Sequence, residues 1–270
     1  MSNLSLEFST DETGKSFLNS QFASYPFHIC GAQYFESDPH GMANIYIQSA
    51  SGGIYQNESL TTNVVANSNS NSHVTTQAST IVHSMPEGKS IQTINVEAKN
   101  NSYTEYFSDP LILFPNSELT SNVKLKIDNS STAIIVDGFI IHQLDDKQSK
   151  FRKLNSNFSI YSSDNKLLVR DIYTVTPENL NPFNKFNYVG MGTIALVTQK
   201  YCTDDLLAIL QKDLQENSFI YGGASKLPNN SGILIKFLIS ESHLLKESSI
   251  YYWKLIRNNI FGVEPITRRK

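Results

Sequence analysis

The sequence predicts a mainly β protein that closes with two helices. Three observations carry this. Val123, Leu125 and Ile127 alternate with Lys124, Lys126 and Asp128, the period-two pattern of a strand with one buried face. Similar short runs recur along the chain, separated by turn-formers such as Pro39 and Gly41, Gly52-Gly53 and the NSNSNS of 67–72. Helical periodicity is confined to the region after Thr203. A chain of 270 residues fits one large β domain or two modest domains equally well, and nothing demands a split. A single domain over 1–270 is therefore expected, with a β body to about residue 200 and a mixed α/β portion over 201–270.

Taken in order, 4–8 is a short alternating strand, and 25–35 reads as a strand entered through Pro26 at its edge. His28 and Cys30 are two apart and share a face there, which suits a pair of buried side chains better than a metal site built on two ligands. Strands follow at 43–48 and 60–66, and the polar 67–72 is expected to join neighbouring strands. The stretch 73–115 is the most informative. It sets Thr75, Thr76, Gln77, Glu105 and Asp109 in segments that otherwise read as buried strands, where unpaired polar groups are costly.

Beyond it, the alternating run 123–127 reads as an antiparallel strand, and 133–141 is a more apolar strand with Asp137 in its middle. That carboxyl either bonds backbone at a bulge or lines a polar interior. Residues 151–162 and 166–176 form a hairpin turning at Ser163-Asp164-Asn165. Thr203-Asp204-Asp205 opens a helix whose Leu206, Leu207, Ile209, Leu210 and Leu214 recur at helical spacing. Strands at 219–221 and 232–239 precede a last helix over 241–260, with Leu245, Tyr252, Leu255 and Ile256 on one face and Gly262 as its stop. Tyr251 and Arg257 on that helix have the side-chain chemistry of interface cores and are candidates for contact with a partner, although a helix docking on its own sheet would look the same.

Composition narrows the function. A net charge of −3 and a pI near 6.1 argue against nucleic-acid binding, and the basic Arg268, Arg269 and Lys270 read as a solvated tail. No signal-like start and no long apolar run stand out, so a cytoplasmic chain off the membrane is expected. Cys30 and Cys202 lack metal-site spacing. No GxSxG elbow occurs, and His73, His83 and His142 sit in or beside strands without a triad context. A catalytic centre is not indicated. A non-enzymatic β-sandwich module for a small ligand or carbohydrate would share these features.

Motif order goes further. The succession SASGGIYQNESL, HVTTQASTIVHSM, YTEYFSDPLILFP, IIVDGFIIH, LLVRDIY, YGGASKLPNNSGILIKFL and YYWKLIRNNIFGVEPITRR resembles the UreD (UreH) family of urease accessory proteins over about residues 4–269. The resemblance implies layered, helically wound β-sheets with a small C-terminal helical portion. It implies a maturation factor, not an enzyme, that binds urease apoprotein and UreF, through which the GTPase UreG engages, and that assists nickel insertion. It implies no tightly bound cofactor, only nickel in transit along a polar internal passage, with Glu58, Thr76, Gln77, Glu105, Asp109 and Asp137 at the matching positions. Oxygen ligands suit an ion that must be released; the same residues could instead satisfy buried backbone groups. Asn57-Glu58 departs from the family's second Gly-Asp pair, Ile81 and Ser84 replace basic residues, and Ser108 replaces a common Pro.

Overall fold

The structure is a computed structural model that describes residues 3–35, 38–142, 150–180 and 187–265. The terminal basic cluster falls outside them. Among the described residues the strands gather into two sheets. The first has seven strands: β1 (Leu4–Thr10), β2 (Ser16–Ala23), β5 (Ser59–Ala66), β8 (Ser90–Ala98), β11 (Glu118–Ile127), β13 (Lys153–Ser162) and β14 (Leu167–Val175). The second has ten: β3 (Phe27–Ile29), β4 (Ala43–Ser49), β6 (Asn71–Thr76), β7 (Thr80–Val82), β9 (Tyr103–Phe107), β10 (Leu111–Leu113), β12 (Thr132–Ile141), β15 (Gly190–Thr198), β16 (Ile220–Lys226) and β17 (Gly232–Ile239). Three α-helices, α1 (Pro177–Leu180), α2 (Asp204–Glu216) and α3 (Ser242–Phe261), and a short 3-10 helix at Pro228–Asn230 complete the described elements. No helix among the described residues is long and apolar enough to cross a membrane.

From β5 to β13 the chain winds. It alternates between the sheets, so β5, β8, β11 and β13 lie parallel in one and β6, β9 and β12 parallel in the other. This is the layered, solenoid-like arrangement expected, with two corrections. Residues 123–127, expected in an antiparallel strand, belong to β11, which is parallel to both neighbours because each return to the sheet takes a full coil. Residues 67–72 do not join neighbouring strands; they carry the chain from β5 in one sheet to β6 in the other.

The corners of successive coils are alike. Asn69 and Asn101 both take positive φ, and the Asn101 amide donates to Asn69 Oδ1 at 3.0 Å. Asn101 N–H then donates to Ser130 Oγ at 2.7 Å, and Ser102 N–H to Ser131 Oγ at 3.1 Å. Short polar side chains satisfy backbone donors that leave the ladders where the chain turns.

Between the sheets Leu6 and Phe8 of β1, Val96, Leu125 and Ile160 meet Ile45, Val74, Tyr106 and Ile135, and a second cluster joins Leu60, Leu119 and Leu154 to Leu111, Leu113 and Phe139. On its outer face the ten-stranded sheet packs against α2 and α3 through Leu206, Leu210, Leu245, Tyr252, Trp253 and Ile256. Both helices form where predicted, with Leu206, Leu210 and Leu214 of α2 buried but Ile209 45% exposed, and Gly262 at φ 69 ends α3 with its N–H on Asn258 O. The 151–176 hairpin also stands, as β13 and β14.

The N-terminal part differs from expectation. Of 25–35, only Phe27–Ile29 forms a strand, after a cis Tyr25-Pro26 bond, with an isolated bridge at Gln33. His28 and Cys30 are exposed, not a buried pair, because the alternate positions Phe27 and Ile29 take the face that packs on the core. Strands β2 and β15 had no counterpart in the sequence reading.

Candidate functional site: a polar row between the sheets

Two groups of polar residues are built into the ten-stranded sheet, and strand alternation decides which face each takes. In β9, Thr104 and Tyr106 point toward the other sheet while Tyr103, Glu105 and Phe107 point toward α3. In β12, Ile135 and Asp137 face the other sheet, whereas Ile134 and Val136 lie under α3. Glu105 and Asp137 therefore occupy opposite faces.

Glu105 is fully buried. One carboxylate oxygen meets His73 Nδ1 at 2.5 Å, and the other receives the Tyr103 hydroxyl and lies 3.0 Å from Arg257 Nε. Arg257, reaching down from α3, also donates to Asp38 Oδ1 at 2.5 Å and sits over the Trp253 ring at 5.0 Å. Asn44 donates to the second Asp38 oxygen at 2.9 Å. Burial works against the guanidinium charge, but Glu105, Tyr103 and Asp38 more than offset it and hold Arg257 ionised. Burial, reinforced by Glu105, pushes the Tyr103 phenol well up, so it stays a donor. Both oxygens of Glu105 are thus engaged by its own chain. Arg257 is 1% exposed and joins α3 to the sheet.

Between the sheets the chemistry is different. A cavity of about 50 Å³ is lined by Thr76, Tyr106, Ser108, Asp109 and Asp137 together with Thr62 and Gln92 of the facing sheet. A second, of about 20 Å³, is lined by Asp137, Ser156, Asp171, Tyr173 and Thr193. At about 10–15 Å³ per water-sized occupant, both admit only small species. Asp137 belongs to both. Its Oδ1 accepts from Gly138 N–H at 2.9 Å and from the Ser108 hydroxyl at 3.5 Å. Burial pushes its carboxyl up to about 6 despite those bonds. Burial, together with the Asp137 charge, likewise raises the Tyr106 and Tyr173 phenols, which remain neutral beside it.

The other predicted residues divide. Thr76 and Asp109 join Asp137 in the first cavity, tied together by Asp109 N–H to Thr76 Oγ1 at 2.8 Å. Asp109 Oδ1 also lies 3.7 Å from Lys246 Nζ of α3. Glu58 closes the turn after Gly53, accepting from Tyr55 N–H at 2.8 Å. Gly53 itself, at φ 144, comes so close to β7 that a Cβ would lie 2.1 Å from Ile81 O, so only glycine fits. Gln77 is exposed just past β6. Tyr251 is 48% exposed, its hydroxyl on Asp213 Oδ2 at 2.7 Å.

Sequence reasoning missed His73 as a partner of Glu105, and it missed Asp38, Ser108, Asp171 and Thr193. A usable signal existed for some of them: Asp171 and Tyr173 alternate in β14, and Thr193 interrupts the otherwise apolar middle of β15.

The model of the family described as UreD urease accessory protein matches residues 1–270. A urease accessory protein UreD 1 of Pseudomonas syringae pv. syringae is 30% identical over 268 residues, covering 98% of this chain and 94% of the relative. A second, from Pseudomonas syringae pv. tomato, is 29% identical over the same shares. The urease accessory protein UreD of Yersinia enterocolitica is 27% identical over 96% of this chain and 83% of the relative. With a family model spanning every residue and relatives matched nearly end to end, the chain belongs to the UreD family of urease accessory proteins.

Proposed function

We propose that this chain is a non-catalytic scaffold of urease maturation in the cytoplasm, binding urease apoprotein and UreF, with UreG engaged through UreF, and that nickel passes between its two sheets by way of Asp137. The relatives' names support the urease connection. One observation carries the route: a single underpaired carboxyl is shared by two small cavities whose other polar lining is hydroxyl, amide and carboxylate oxygen. Such donors hold a divalent ion weakly enough to pass it on, where thiolates or clustered imidazoles would retain it. A carboxyl with a pKa of about 6 is largely ionised at neutral pH and offers a charge without a fixed counter-ion in hydrogen-bond contact. Thr76 and Asp109 extend the oxygen lining on one side. Tyr251 remains the exposed candidate for contact with a partner.

The test is Asp137→Ala in cells that co-express urease and the other accessory proteins. Complex assembly, followed by copurification, is expected to match the wild type, while urease nickel content and activity fall several-fold. Full activation by this variant would overturn the route. Asp137 is the better target than Glu105, because removing Glu105 would also unseat α3.

A further inference from the structure

The polar row does not stop at Asp137. Strand register sets Asp137 opposite Thr193, Thr193 opposite Lys236, and Lys236 opposite Gly223, one residue from each of β12, β15, β17 and β16. At about 4.8 Å per strand the row runs roughly 14 Å from the interior to the sheet edge. Thr193 faces the second cavity, and Gly223 is exposed on the edge strand. Between them stands an ammonium. Lys236 Nζ lies 2.5 Å from Asp171 Oδ2 and 4.5 Å from the centre of the Tyr173 ring, both of them lining residues of that cavity. The pair is neither a surface salt bridge nor a sealed core pair, with side chains 31% and 23% exposed.

We propose that Lys236 is a resident cation that gates the outer end of the row: it holds Asp171 until a divalent ion displaces it. The proposal rests on the reading of the row as a cation route. An ammonium seated on a carboxylate blocks a cation twice, by occupying the oxygen and by repulsion. It can also leave, because the lysine stem is flexible and the side chain is 31% exposed. Displacement hands the ion to Asp171, which lines the same cavity as Asp137. The binding-competent state is then only a fraction of the population, which lowers apparent affinity and keeps the row from retaining metal.

Two measurements on the purified full chain test this. In competition with a chromogenic chelator, Lys236→Met is expected to bind nickel(II) about tenfold or more tightly than the wild type. The double variant Lys236→Met/Asp171→Asn should lose that gain, and Lys236→Arg should stay near the wild type. Unchanged affinity in a folded Lys236→Met chain, or a gain that survives Asp171→Asn, would overturn the gate. The second measurement needs no variant. Acylation of Lys236, read by mass spectrometry, should rise several-fold when nickel saturates the chain, while Lys200 and Lys212 stay constant; no rise at Lys236 overturns the proposal even if the Met variant fails to fold. Neither readout involves urease. Failure of Asp137→Ala to lower activation would remove the route's function without touching displacement of Lys236, and failure of displacement would leave the route standing.

Discussion

The two faces of the ten-stranded sheet bury acids in opposite ways. Under α3, Glu105 and Asp38 surround one guanidinium, and His73, Tyr103 and Asn44 take up further lone pairs. Toward the other sheet, Asp137 has one backbone N–H and one long bond from Ser108, with small cavities on either side. Both arrangements pay desolvation, but only the first recovers it through paired charge. A fold that can neutralise a buried carboxylate so thoroughly on one face leaves a partly buried one underpaired on the opposite face of the adjacent strand. Architecture explains the first group; the second calls for a use.

The comparison breaks most sharply at Arg257. Arg257→Leu keeps an apolar stem against Trp253 but strands Glu105 and Asp38 without their cation. Removing one partner of a buried ionic group costs about 3–5 kcal/mol, because the other charge stays buried. Chemical denaturation should show a loss of that size, with α3 becoming sensitive to protease. A loss below about 1 kcal/mol would mean that the cluster contributes little to holding the helix.

That ionic anchor also marks what a sequence can and cannot yield. The helix itself was legible, since Leu245, Tyr252 and Ile256 recur at helical spacing and are buried. The role of Arg257 was not, because its partner Asp38 is 219 residues away and an Arg on a helix reads equally as a contact for a separate protein. The strands were legible individually, but alternation reports a face, not a partner, so the parallel pairing of β11 and the crossing between sheets at 67–72 stayed hidden. Strand β15 escaped because it is buried on both sides and opens on Gly190 and Gly192, which read as turn. Glu105 and Asp137 looked equivalent as polar residues in apolar strands; only the register, which sets them on opposite faces, separates an anchor from a candidate ligand. One signal was present in the letters and unused: Asn69, Asn101 and Ser130, each followed by a serine or asparagine, recur at intervals of 32 and 29 residues, the length of a coil.

The second prediction takes the opposite sign. The Asp137 carboxyl is raised in the folded chain to about 6 from an ordinary 3.8. Folding therefore favours its protonated form: the favourable state is fully present below 3.8, and it is lost as pH rises through 6. At pH 7.5 the ionised carboxylate lowers stability by up to about 3 kcal/mol. Asp137→Asn should raise the melting temperature at pH 7.5, with the advantage shrinking below pH 6 and gone near pH 4. A variant less stable than the wild type at pH 7.5 would place Asp137 with Glu105, as a structural acid. A stabilised variant that also fails to activate urease is the pattern of a residue kept for function against stability.

The smallest expected effect lies at the coil corners, which ask whether polar residues outside both groups behave like the anchor or like the row. Asn101 holds φ 55, donates to Asn69 Oδ1 at 3.0 Å and accepts from Lys200 Nζ at 2.7 Å, all at the surface. Asn101→Ala loses the side-chain bonds and puts a Cβ in the left-handed region without asparagine's local hydrogen bonding, for a cost of about 1–2 kcal/mol. Asn101→Gly loses the same bonds but suits the backbone, so it should cost less, about 1 kcal/mol or under. Equal losses from the two variants would assign the corner to its hydrogen bonds; a larger loss from Ala assigns it to backbone conformation. In either case urease activation should be unchanged at permissive temperature, because the corner touches neither cavity. Lost activation in a folded Asn101→Gly chain would show that the solenoid's corners, and not only its interior row, take part in function.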